Sequence, residues 1–261
     1  MSILKAILFD VDGTLAETEE FHRRAFNAVF KSFGMDHAWS MDQYRELLKI
    51  TGGKERLAAY FAAQGQPVPE GRIRELHVAK NAGYAQAIAS GATRLRPGVG
   101  RLMADARAAG LRLGIATTTS EANLDALLRP LLGTGWAESF ACVVAGDQVA
   151  HKKPAPDVYR ACLQQLGLAP GESVAIEDSA VGVRSARAAG IAVLVTPSSY
   201  TDHDDFSKAD ACVPDLGEPD RPWSRAIAGF PAGYVRLDDL RRLAAMRAGG
   251  APVKGEYLAS L

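Results

Sequence analysis

Asp10 and Asp12 close the apolar run ILKAILFD, Thr117 follows LGIA, Lys153 stands in HKKPAPD, and Glu177 and Asp178 follow SVAI. Extended chain between Asp10 and Asp12 would point both carboxylates to one side at the end of a strand. One of them can attack a phosphoryl group and form an aspartyl phosphate while the other moves protons. Mg²⁺ suits such a pair, because it prefers oxygen ligands, keeps several waters and binds carboxylates together with a substrate phosphate. Asp178 with Asp10 would complete that ion's site, with Glu177 as a further or water-bridged ligand. Thr117 offers a hydroxyl donor and Lys153 a full positive charge to the phosphoryl oxygens. Taken singly, each residue has a plain structural use, since Asp and Thr cap turns and helices and Lys is commonly solvated. Two acids, a hydroxyl, a lysine and a second acid pair at successive strand ends form a constellation that independent capping does not produce.

The elements that must position these groups are legible as hydrophobic pattern. ILKAILFD is a continuous apolar strand of the kind buried on both faces of a parallel sheet. LRLGIAT, FACVVAG, SVAIED, IAVLVT and ADACVP are further strands, alternating with helical stretches such as GRLMADARAAG, APDVYRACLQQLG and AVGVRSARAAG. This alternation predicts an α/β fold, a doubly wound Rossmann-like parallel sheet whose ligands bind beyond the carboxyl ends of the strands. From residue 17 to 89 helical periodicity persists without a convincing strand, which predicts a small helical cap domain inserted into the sheet domain. The core is then 1–16 with 90–215, the cap 17–89, and 216–261 a C-terminal extension expected to pack on the core through Trp223, Phe230 and Tyr234.

Lys plus Arg and Asp plus Glu each number 30, for a formal net charge of zero, so no global basic field exists to hold nucleic acid or an anionic membrane. The three cysteines cannot all pair within one chain and form no CxxC motif, which suits a reducing compartment. No apolar stretch reaches the length of a membrane span. A cytoplasmic protein that acts on a small molecule, with no obligatory protein partner, is the expectation.

In DVDGT at residues 10–14, Thr117 in ATTTS, Lys153 in KKPAPD and EDS at 177–179, the chain resembles the haloacid dehalogenase superfamily of phosphotransferases over residues 1 to about 215. The resemblance implies Asp10 as nucleophile, Asp12 as general acid/base, and Thr117 and Lys153 as phosphoryl ligands. It implies Mg²⁺ held by Asp10, the Asp12 backbone carbonyl and Asp178. An acid two residues after the nucleophile is absent from the dehalogenase and phosphonatase branches, so Asp12 argues for phosphate esters. The helical insertion is similar to the cap of the beta-phosphoglucomutase-like group and, within it, of CbbY-type xylulose 1,5-bisphosphate phosphatases. That likeness implies substrate contacts from Glu17, His22, Tyr44, Gly53, Lys54, Arg56 and Lys80 in the cap and from Thr118 and Ser179 in the core. Lys54 and Arg56, beside the glycine pair at 52 and 53, would hold a second phosphate. Each has a structural alternative: a solvated face for Lys54, Arg56 and Lys80, packing for His22 and Tyr44, a helix cap for Ser179. Lys152 competes with Lys153, but the superfamily's lysine directly precedes proline. The implied substrate is a phosphorylated sugar. The specific expectation is cleavage of the C1 phosphate of xylulose 1,5-bisphosphate, an inhibitory by-product of carbon fixation, to xylulose 5-phosphate. A phosphosugar mutase and a phosphatase of a small monophosphate such as phosphoglycolate are the alternatives.

Overall fold

The computed structural model describes residues 4–91, 93–224, 227 and 229–248. Its centre is a six-stranded parallel sheet made of β1 (Ala6–Phe9), β2 (Arg112–Ala116), β3 (Cys142–Val144), β4 (Ser173–Glu177), β5 (Ala192–Val195) and β6 (Ala211–Cys212), in the spatial order β3-β2-β1-β4-β5-β6. The chain winds outward from β1 to β3 on one side and from β4 to β6 on the other, so the order reverses beside β1. A crevice opens at such a reversal. All four residues of β1 are buried, and alternation along the strand sends Ile7 and Phe9 to one hydrophobic cluster and Ala6 and Leu8 to the cluster on the opposite face. This two-sided burial is why the strand reads as an unbroken apolar run.

Register then fixes the chemistry. Phe9 pairs with Ile115 on one side and Ile176 on the other, so Asp10, Thr117 and Asp178 emerge within two residues of one common level. The Asp10 amide continues the ladder by donating to the Ile176 carbonyl at 3.0 Å.

Between β1 and β2 lie α1 (Glu19–Ser32), α2 (Met41–Leu48), α3 (Gly53–Ala63), α4 (Glu70–Ala89) and α5 (Val99–Ala108). The first four gather round a third cluster rich in aromatic rings, including Phe26, Phe30, Trp39, Tyr44, Phe61 and Leu76. Fully burying each large side chain contributes roughly 1.5–3 kcal/mol, so these helices carry a core of their own. Helices α6 (Glu121–Leu132), α7 (Asp157–Leu166) and α8 (Ala180–Ala188) are the crossovers between the strands from β2 to β5. Ser120 and Ser179 cap α6 and α8, accepting from the amides of Asn123 and Gly182.

The C-terminal segment joins the core on one face of the sheet. Phe230, Val235, Leu240 and Leu243 enter the cluster that contains Ile7 and Phe9, with Trp223 packed against it. The Trp223 indole donates to Asp215 at 2.9 Å, and the Arg101 guanidinium lies 5.0 Å over the Tyr234 ring. The final helix α9 (Leu237–Ala248) ends the described chain, and residues 249–261 of the expected extension lie outside the described residues. No helix among the described residues is long and apolar enough to cross a membrane.

Candidate active site

A cavity of about 840 Å³ opens where the carboxyl ends of the strands face the four inserted helices. Its core wall carries Asp10, Asp12, Thr117, Thr118, Lys153, Asp178 and Ser179. Lys153 is not at a strand end; it lies in the loop between β3 and α7, and its ammonium reaches back to the sheet. It donates to Asp10 Oδ1 and to Glu177 Oε1, at 2.6 Å each. All three side chains are almost fully buried. Burial pushes the Asp10 pKa up to about 8 against the opposing charge of Lys153, and burial next to Asp10 and Glu177 holds Asp178 well above the carboxylate range. The Lys153 pKa is raised, because the charges of Asp10 and Glu177 outweigh its own burial.

Carboxylate oxygens of Asp10, Glu177 and Asp178 lie within 4.8 Å of one another, a buried set of hard oxygen donors that fits Mg²⁺. The loop after β1 closes tightly over them at Gly13, whose φ is +80° and where a Cβ would stand 2.2 Å from Asp178 Oδ2. Within this set Glu177 is already engaged. It does not line the cavity, and its Oε1 accepts from both Lys153 and Tyr159. Glu177 thus organises Lys153 through Oε1 while remaining one of the three clustered carboxylates, and Asp10 and Asp178 are the two that face the cavity.

Asp12 belongs to a second network. Its Oδ1 accepts from the Thr18 hydroxyl at 2.6 Å and meets His22 Nε2 at 3.2 Å. Lys80 stands 2.6 Å from His22 Nδ1, and an ammonium only donates, so Nε2 carries the imidazole proton toward Asp12. The His22 ring is stacked on Tyr84 with centroids 4.0 Å apart. Burial alone would raise the Asp12 pKa, but His22, the Thr18 hydroxyl and the charge of Lys80 together lower it to about 2. Lys80 itself falls to about 7 through burial, partly offset by Asp12. Thr18 occupies the N-cap of α1 yet makes no side-chain cap bond, because its hydroxyl is spent on Asp12.

On the cap wall, Gly53, Lys54, Arg56, His22 and Lys80 line the cavity. Arg56 is tied down by Nε to the carbonyls of Leu47 and Ile50 and by Nη1 to the Tyr44 hydroxyl, whereas Lys54 is exposed. Two expected substrate contacts lie elsewhere. Tyr44 is wholly buried in the aromatic cluster and reaches the cavity through its hydroxyl, which accepts from Arg56 and donates to Glu19 at 3.1 Å, while Glu17 pairs with Arg96 at 3.2 Å and with the Ser199 hydroxyl at 3.0 Å. Neither lines the cavity. Ser179 both faces the cavity and caps α8.

This geometry has close counterparts. A family model, haloacid dehalogenase-like hydrolase, matches residues 4–190. The chain is 54% identical over 213 residues to Protein CbbY of Rhodobacter capsulatus, covering 82% of this chain and 94% of that one. This chain belongs to the haloacid dehalogenase-like hydrolases. Within them it groups with CbbY: it is 46% identical over 244 residues to the plasmid CbbY of Cupriavidus necator, covering 91% and 96% of the two chains. A crystal structure of CbbY from Rhodobacter sphaeroides with phosphate superposes with a TM-score of 0.78 at 47% identity, covering 83% of this chain and 96% of that one. A point variant of that protein, crystallised with xylulose-(1,5)bisphosphate, gives 0.79 at 46% identity with the same coverage. As a member of this hydrolase family the chain is a phosphoric monoester hydrolase.

The cavity of this hydrolase also holds residues that pattern reading passed over. Glu55 Oε1 and Lys152 Nζ meet at 2.6 Å across the gap between cap and core, and His77 lies beside Gly53. Asn81 accepts from Asn123 at 3.3 Å across the same gap. Thr18, six residues after Asp12 and just ahead of an amphipathic helix, carried a sequence signal that was readable only as a cap. Lys152 was visible but displaced by its neighbour.

Proposed function

We propose that this hydrolase is a Mg²⁺-dependent sugar-bisphosphate phosphatase that removes the C1 phosphate of xylulose 1,5-bisphosphate to leave xylulose 5-phosphate. The observation that carries this reading is one cavity with two cationic ends: Lys153 beside Asp10 on the sheet, and Lys54 and Arg56 on the cap. A bisphosphate fits such a pair of ends, and a small monophosphate leaves one of them empty. The CbbY variant crystallised with xylulose-(1,5)bisphosphate supports the choice of sugar.

In the first step an Asp10 carboxylate oxygen attacks phosphorus, the bond to the sugar oxygen breaks, and Asp12 delivers a proton to that oxygen. In the second, water attacks the aspartyl phosphate and loses its proton to Asp12, releasing inorganic phosphate and restoring Asp10. Lys153 and Thr117 face the phosphoryl oxygens, where charge develops. Mg²⁺ held by Asp10 and Asp178 would supply charge neutralisation for the phosphoryl group. With Thr18 and His22 bonded to it, Asp12 is ionised and set as the base of the second step. The proton that Asp12 takes from water in that step is the one it delivers to the sugar oxygen in the first step of the next turnover.

Such an enzyme would act as a cytoplasmic repair phosphatase on a small phosphorylated sugar, without an obligatory protein partner. The test is phosphate release with Mg²⁺ across xylulose 1,5-bisphosphate, sugar monophosphates and phosphoglycolate. A kcat/KM preference of several orders of magnitude for the bisphosphate supports the reading. Indiscriminate release, or isomerisation of a hexose 1-phosphate without net release, contradicts it.

A further inference from the structure

Tyr159, the third residue of α7, is completely buried and touches both members of the pair that faces Asp10. Its hydroxyl donates to Glu177 Oε1 at 2.6 Å, the same oxygen that accepts from Lys153, and its ring lies 5.1 Å from the Lys153 ammonium. The other oxygen, Oε2, is buried without a hydrogen-bond partner among the described residues and lies against Gly182, where a Cβ would stand 1.9 Å away. A glutamate's terminal torsion is broad and intrinsically weakly held, so something outside the side chain must fix the plane of this carboxylate. The phenol and the bare backbone of Gly182 supply that constraint.

We propose that Tyr159 is a positioning residue of the phosphatase: it fixes the Glu177 carboxylate so that Lys153 is held between Glu177 and Asp10. An ammonium has three donors. Two are committed to Asp10 and Glu177, and the third is free for the phosphoryl group only while the first two hold their directions. Losing the phenolic hydroxyl lets Glu177 turn and carry Lys153 with it, although Tyr159 never meets substrate. The role concerns the phosphoryl end of the cavity and is independent of which sugar is bound.

The experiment compares wild type, Tyr159→Phe and Gly182→Ala with saturating Mg²⁺, using both p-nitrophenyl phosphate and a sugar phosphate, with Tm measured on the same preparations. Tyr159→Phe keeps the ring and its packing, so kcat per folded molecule is expected to fall roughly tenfold to a hundredfold, the scale of misplacing a catalytic group, with KM changed less than about twofold, while Tm falls only by the few degrees that one buried hydrogen bond to a carboxylate supplies. Gly182→Ala presses on the same carboxylate from its other oxygen and is expected to lower kcat in the same way. A purely structural tyrosine would show the reverse pattern, a lower Tm with wild-type kcat per folded molecule. Wild-type kcat in Tyr159→Phe overturns the assignment, whatever Gly182→Ala does.

Discussion

At the sheet, Asp10, Lys153 and Asp178 on the core wall, with Glu177 behind them, are between 0% and 7% exposed and bonded or apposed to one another, whereas at the rim of the cap wall Lys54 and Glu55 are exposed to solvent beside the buried Arg56, His22 and Lys80. The buried charges have no water to fall back on, so each depends on its partner. The exposed ones can be rehydrated when a partner leaves. The covalent chemistry is thereby concentrated in a buried, interdependent set at the sheet, and the exposed rim of the cap at Lys54 and Glu55 can change at little cost to folding.

The largest effect is expected at the attacking group. Asp10→Asn removes the nucleophile in a nearly isosteric side chain, and kcat should fall by at least about 10⁴-fold while substrate still binds, as checked by steady-state kinetics and calorimetric titration. Lys153→Ala comes next. It leaves Asp10 and Glu177 buried without their cation and should destabilise the fold by about 3–5 kcal/mol in urea unfolding, besides abolishing most turnover. If stability is unchanged, the core set is less interdependent than the contrast requires.

On the cap the expected effects are smaller. Glu55→Gln breaks the ion pair to Lys152, whose side chains are 46% and 22% exposed, and should alter stability by less than about 1 kcal/mol and kcat/KM by less than about tenfold. His77 shows its effect in stability against pH and lies outside the chemistry. Burial, reinforced by the charges of Lys80, Lys54 and Lys152 and opposed by Glu55, lowers its pKa from 6.5 to about 4. Between those values the unfolded chain binds more protons than the folded one, so stability falls as pH drops from 6.5 toward 4. Its share should be roughly 1–2 kcal/mol, and His77→Gln should flatten that part of the pH–stability curve.

The same contrast explains what could be read from sequence. β1 and β4 are buried on both faces and so appear as apolar runs, and Asp10 and Asp178 follow those runs directly. Short strands were harder to bound: ADACVP contributes only Ala211 and Cys212 to the sheet. The links between Lys80 and His22, Tyr159 and Glu177, and Glu55 and Lys152 join residues 58, 18 and 97 positions apart, and they exist only once the helices are packed. Tyr44 shows the limit of periodicity. Its helix has an apolar face, but pattern alone does not say whether a tyrosine on that face meets the aromatic cluster or the cavity. Glu17 is a related case, since its partners Arg96 and Ser199 stand 79 and 182 residues away in the sequence and no local pattern shows them.

The most direct test of the division between the two walls is the ratio of kcat/KM for xylulose 1,5-bisphosphate to that for phosphoglycolate, measured in wild type and in Lys54→Ala. Lys54 is exposed, lines the cavity and makes no ion pair among the described residues, so its replacement alters the cap wall alone. The account predicts a strong bisphosphate preference in wild type and a ratio at least about tenfold lower in the variant, the scale of one lost charge-assisted phosphate contact. A ratio that does not change would contradict it.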